Sequence, residues 1–202
     1  MYTKTSLRGL ALAFALTLGI LAIASPQNIY AASELVETIG STAEVEFNGG
    51  SLSLVQVATF DFGLQNISSS AADYTATDVD DDIQVSDLRG NGKGWDLNVS
   101  LSGFVNTDNG KELNGAYVTL SGTEIAGVNG TIGTAPTSTS TGTLKIDSDS
   151  SELPIFVADE DAGMGVWGIT TELTDATLTV LAGTAYAGAY EANLTWTLQT
   201  TP

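Results

Sequence analysis

Trp95-Asp96-Leu97-Asn98-Val99-Ser100-Leu101 sets Trp95, Leu97, Val99 and Leu101 on one face and Asp96, Asn98 and Ser100 on the other. A period of two residues belongs to a half-buried antiparallel strand. The pattern returns at Tyr190-Glu191-Ala192-Asn193-Leu194-Thr195-Trp196-Thr197-Leu198, where Tyr190, Ala192, Leu194, Trp196 and Leu198 oppose Glu191, Asn193, Thr195 and Thr197. Its β-branched threonines suit a pleated surface. In both runs a tryptophan and the leucine two positions later share the apolar face. Trp95, Leu97, Trp196 and Leu198 are therefore expected in one core, on two neighbouring strands, with each indole N–H bonded to an internal acceptor.

Further β-prone segments stand at about 43–47, 52–60, 83–88, 116–121, 143–146, 166–171 and 177–181, separated by Gly, Asn, Asp, Ser and Thr clusters. No helix-period stripe with caps occurs after the N-terminal region. Many short strands with turns between them predict an all-β domain, read here as a two-sheet antiparallel β-sandwich. Residues 131–143 are nearly all Ser, Thr and Gly with one Pro136, which predicts a long surface loop. Asp78 to Asp82 reads as a second polar connection.

Lys4 and Arg8 precede an apolar run from Leu10 to Ala24, followed by Pro26 and the small residues Ala31-Ala32-Ser33. This is the layout of a secretory signal peptide, expected over residues 1–31 with cleavage near 31–33 and one domain over 32–202. No other segment is long and apolar enough to cross a bilayer. Beyond that leader, Arg89, Lys93, Lys111 and Lys145 face 24 carboxylates. Such a balance excludes nucleic acid as a partner, since phosphate binding depends on Lys and Arg, and disfavours polyanions such as teichoic acid. Cysteine and histidine are both absent, so disulfides, thiolate chemistry, the commonest general base and the usual metal ligand are all missing. Only a paired-carboxylate reaction such as glycoside hydrolysis survives on residue inventory, and nothing in the spacing of the acids points to it. No enzyme activity and no cofactor are expected.

The segment Val85-Ser86-Asp87-Leu88-Arg89-Gly90-Asn91-Gly92-Lys93-Gly94-Trp95-Asp96-Leu97 fits a V-x-D-x-R-G-x-G-x-G-W-x-L pattern, and Tyr190 to Leu198 fits Y-x-A-x-L-T-W-T-L. With Gly50 to Leu54, Phe60-Asp61-Phe62-Gly63 and Gly163-Met164-Gly165-Val166-Trp167, the chain resembles the WxL domain of low-GC Gram-positive bacteria over nearly its whole length. The resemblance implies association with peptidoglycan and the cell wall, and partnership with surface proteins bearing immunoglobulin-like domains.

Candidate surface contacts are few. Trp167, flanked by Gly165 and Gly168, has little side-chain cover, and both burial and exposure stay open. Arg89 and Lys93 lie in a glycine turn that lacks the order of a phosphate loop. As a functional pair they would meet an anion on a partner; as a structural feature the glycines supply positive φ and Arg89 pairs with an acid such as Asp87. Asp78, Asp80 and Asp82 have calcium-loop spacing, yet Ile83 stands where such a loop needs Gly and no Glu closes it. Asp147, Asp149 and Glu152 are equally incomplete, and both clusters read as solvated acidic loops with no metal site. There is no lipobox cysteine, transmembrane tail or L-P-x-T-G motif at Gln199-Thr200-Thr201-Pro202, so retention on the cell is expected to be non-covalent. The leading expectation is a secreted, cell-wall-attached subunit of a surface complex. The alternative is an adhesin for host extracellular matrix or an external polysaccharide.

Overall fold

The structure, a computed structural model, describes residues 37, 39–121, 124–139, 144–149, 151–170 and 176–201. The expected signal peptide and its cleavage point lie outside them, as do residues 140–143 of the expected loop. By contacts the chain divides into residues 1–44 and 45–202. In the first unit, the described residues carry no strand and lie exposed. The strands among the described residues belong to the second.

Every regular element among the described residues is a strand: β1 (Leu52–Gln56), β2 (Thr59–Asp61), β3 (Ala72–Thr75), β4 (Asp78–Asp80), β5 (Ile83–Asp87), β6 (Trp95–Leu101), β7 (Val105–Asn106), β8 (Tyr117–Leu120), β9 (Glu124–Val128), β10 (Thr137–Ser138), β11 (Leu144–Asp147), β12 (Leu153–Ala158), β13 (Gly165–Thr170), β14 (Ala176–Val180), β15 (Tyr190–Glu191) and β16 (Leu194–Thr200). The all-β antiparallel class is as expected. The strands are spread more widely than over two sheets: three sheets have four strands each, in the orders β1-β5-β13-β9, β10-β12-β6-β16 and β11-β8-β14-β3, and β15-β7 and β2-β4 form two-stranded ribbons.

One contiguous apolar cluster joins the three larger sheets. The first contributes Ile83, Val85 and Ile169, the second Trp95, Leu97, Val99, Ile155 and Phe156, and the third Val118, Ile146, Ala176 and Leu178. Three sheets sharing one core explain why the alternation is so regular in β6, whose Trp95, Leu97 and Val99 are fully buried.

Several elements depart from the sequence reading. Residues 43–47 form no strand, and Val45 and Phe47 stand exposed at 76 % and 86 %. The long run from Tyr190 is broken at Ala192-Asn193 into β15, which pairs with β7, and β16, which pairs with β6. The polar connection at 78–82 contains β4, and the Ser/Thr/Gly loop contains β10, laid on β12. β12 itself escapes the alternation rule because it holds Pro154 and a bulge between Pro154 and Phe156 that turns both Ile155 and Phe156 to the core. A proline inside a sheet is admissible at such a bulge.

Candidate functional site

Two features gather the residues that the sequence singles out. The first is the corner built by the two W-x-L elements. β6 and β16 are direct neighbours, in unbroken register from Leu194↔Leu101 through Trp196↔Val99 and Leu198↔Leu97 to Thr200↔Trp95. Trp95 is fully buried, and its Nε1 donates to the Gly163 carbonyl at 3.2 Å. Gly163 has a φ of +69°, and a Cβ there would stand 2.6 Å from Trp95 Nε1. The glycine is thus the seat of the indole. Trp196 and Leu198 are only half-buried, because β16 is the edge of its sheet.

Asp87 ends β5 on the same face as Val85 and Ile83, a carboxylate aimed into apolar surroundings with its side chain 1 % exposed. Arg89, two residues later, neutralises it: Nε donates to Oδ1 at 2.9 Å and an Nη to Oδ2 at 2.7 Å. The backbone N–H of Arg89 adds a third bond to Oδ1 at 3.1 Å. The same guanidinium donates onward to the carbonyls of Lys93 and Gly94. It therefore fastens the glycine turn to the sheet immediately ahead of Trp95. Hydrogen bonding to Asp87 raises the Arg89 pKa above the ordinary arginine value, outweighing the desolvation that lowers it. Close approach explains two of the three glycines of the turn: a Cβ on Gly94 would overlap the Ala158 carbonyl oxygen at 1.8 Å, and one on Gly92 would meet Asp161 at 2.3 Å, whereas Gly90 serves a φ of +64°.

The candidate contact residues are therefore not brought together. Arg89 is committed to Asp87 and its turn, while Lys93 is exposed nearby. Trp167 does not stand on the surface. It is 4 % exposed in an interior strand, opposite Val85 and Gly127, and donates from Nε1 to the Met164 carbonyl at 3.1 Å. The neighbouring β5 and β9 supply the cover that its own flanking glycines lack. Asp78 and Asp80 lie in β4, and among the described residues no three acidic side chains converge on a point that could hold a metal ion.

The second feature is a groove of about 600 Å³ that no single sequence segment reveals. β2 and the turn after it supply Phe60, Asp61, Phe62, Leu64, Gln65, Asn66 and Ile67; β3 gives Tyr74; Phe104 and Leu113 close one side; and β14, β15 and the connection between them add Leu178, Val180, Leu181, Tyr186, Tyr190 and Glu191. Its first wall is rigid. The Gly63 N–H donates to Asp61 Oδ1 at 2.7 Å, Gln65 Nε2 to the Phe62 carbonyl at 2.6 Å, and the Tyr74 hydroxyl to the Asn66 carbonyl at 2.9 Å. Opposite, the Tyr186 N–H donates to the Tyr190 hydroxyl at 2.9 Å. The rim is apolar where surfaces are ordinarily polar: Leu64 is fully exposed, Ile67 59 %, Tyr186 55 % and Leu181 42 %. No lysine or arginine lines it. Aromatic walls with a few fixed polar groups suit a ligand that is apolar on one face and rich in hydroxyls on its edge. Leu64, Ile67, Leu181 and Tyr186, large apolar residues inside connections made mostly of small and polar ones, were the signal that could have found it.

No helix among the described residues is long and apolar enough to cross a membrane. Comparison with curated proteins and with solved structures finds no match. Over residues 25–202 the sequence matches the family model described as WxL domain, surface cell wall-binding, and the two W-x-L strands paired as β6 and β16 are those of a chain that belongs to the WxL domain family.

Proposed function

We propose that this chain is a secreted, non-enzymatic protein that holds to peptidoglycan non-covalently, and that the aromatic groove receives the glycan. The groove, on a chain of a cell wall-binding family, is the observation that carries this reading. A pyranose ring packs its C–H face on an aromatic side chain and offers hydroxyls to the groups beside it; Tyr186, Phe62 and Tyr74 provide the former and Asp61, Gln65, Asn66 and Glu191 the latter. Carboxylates without cations favour a hydroxyl-rich glycan over a polyanionic wall polymer, which would meet like charge in a groove that cannot neutralise it. A role as one subunit of a surface complex with an immunoglobulin-like partner fits the same reading, the partner taking a surface other than the groove.

The test is retention of purified protein on isolated sacculi with no other protein present. Tyr186→Ala and Leu64→Ser should each lower retention about tenfold, the loss expected when a stacking contact in the first case and an apolar contact in the second, each of roughly 1–2 kcal/mol, is removed. Thermal unfolding should not move, because both side chains are largely exposed. Soluble glycan fragments should compete. Unchanged retention in both variants would eliminate the groove, and retention only in the presence of a second surface protein would eliminate direct attachment.

A further inference from the structure

We propose that copies of this chain associate head to tail, the segment around Ala43 to Phe47 of one adding as a strand to the free edge of β16 in the next. Such a contact is independent of the glycan groove, since no residue of β16 lines it.

The acceptor follows from the register. Ser102 N–H bonds to the Asn193 carbonyl at 2.8 Å and Thr201 N–H to the Gly94 carbonyl at 3.3 Å, so the pairs 193↔102 and 201↔94 are of the hydrogen-bonded kind. By alternation Thr195, Thr197 and Gln199 turn their backbone groups inward to β6, and Leu194, Trp196, Leu198 and Thr200 turn theirs outward. Among the described residues those outward groups find no backbone partner. Proteins ordinarily blunt such an edge. The other edges of the four-stranded sheets are blunted: β10 has two residues, β1 a register shift, β3 Asp73, β11 Lys145 and Asp147, and β9 opens on Glu124. β16 has seven residues, with no charge, proline or bulge, and its apolar side chains are only half-covered.

The donor is the orphan of the same kind. Ala43-Glu44-Val45-Glu46-Phe47 alternates as a strand should, yet it joins no sheet and holds Val45 and Phe47 in water. Laid along β16, its Ala43, Val45 and Phe47 would cover Leu194, Trp196 and Leu198, and its glutamates would project with Thr195 and Thr197. Donor and acceptor are different surfaces, so the contact is heterologous and repeats from copy to copy. The net charge of −18 opposes this at low salt and is screened beyond about 8 Å at physiological ionic strength, so association should strengthen as salt rises.

The test uses the full-length chain expressed with its N-terminal region and recovered from outside the producing cell. Sedimentation should show mass rising roughly twofold or more over a hundredfold range of concentration, more strongly in salt. Val45→Asp with Phe47→Ser removes the donor, and Leu198→Pro removes an outward N–H within the covered stretch without removing a hydrogen bond to β6. Each variant alone should stay monomeric; mixed, they should form a one-to-one dimer that grows no further. If Leu198→Pro fails to fold, slowed amide exchange at Leu194, Trp196 and Leu198 of the parent chain on association reads the same contact. A chain that stays monomeric in salt, association that survives loss of the donor, or protection of those amides independent of concentration would overturn the proposal.

Discussion

Replacing Arg89 by Met keeps the length of the side chain and removes the charge that answers Asp87. The carboxylate it leaves behind is 1 % exposed on an apolar sheet face and loses two of its three bonds, keeping only the Arg89 N–H at 3.1 Å. Breaking a buried pair from one side costs about 3–5 kcal/mol. The surviving backbone bond places this case near the lower figure, and the carbonyls of Lys93 and Gly94 turn partly to water. Converting both partners, Asp87→Leu with Arg89→Met, leaves no stranded charge and should return stability to within about 1 kcal/mol of the parent. Urea unfolding followed by tryptophan fluorescence, run as a double-mutant cycle, measures both numbers. Because the Arg89 pKa is raised, its contribution is complete below the ordinary arginine range and fades only as pH climbs through the elevated value. The Arg89→Met deficit should thus be the same at about pH 7 and about pH 10, since arginine stays charged at both. A cost under about 1 kcal/mol, the value of an exposed ion pair, or a double variant as weak as the sum of the singles, would refute a buried staple.

Other substitutions test the same corner. Trp95→Phe leaves the Gly163 carbonyl without its donor and should cost about 1–2 kcal/mol, and Trp95→Ala about 3–5 kcal/mol, both read by urea unfolding. Trp196→Ala, on a half-buried edge, should cost about half as much as Trp95→Ala in the same assay. Gly94→Ala should prevent folding, judged by loss of the near-ultraviolet dichroism of the tryptophans, because its Cβ would overlap backbone oxygen. Gly90→Ala, whose Cβ would meet nothing within 4 Å, should cost only the left-handed backbone term of about 1–2 kcal/mol. Sacculus retention should persist in salt that screens surface charge, since the groove has no cations to lose; stripping by moderate salt would count against it.

The strands flanking the tryptophans were legible because burial on one face writes itself into the order of side chains. β6 begins and ends at the expected residues, and its pairing with β16 follows from two matching apolar faces. The Asp87–Arg89 contact was also readable, being local. β12 was not, since Pro154 and its bulge erase the period of two, and neither were β3 and β4, whose alternate residues are acidic or small. Trp167 was ambiguous for a different reason: its cover comes from Val85 and the adjoining strands, which its own neighbours in sequence do not announce. The groove escaped entirely, because residues 60–67, 74, 104 and 178–191 meet only after the ribbons and the third sheet have formed. Residues 43–47 show the converse, an alternating pattern that joins no sheet of its own chain.

Pairing Trp196 with Val99 also imposes an order of events on the growing polypeptide. Strand β6 can be synthesised early, but one of its two neighbours arrives only with residues 194–200, and the other, β12, only with 153–158. Contacts so distant along the chain form slowly, since a long loop must close before any reward is collected. Until then Leu97 and Val99 have no sheet to sit in. The part of the core built on β6 therefore closes only once residues 194–200 have been made.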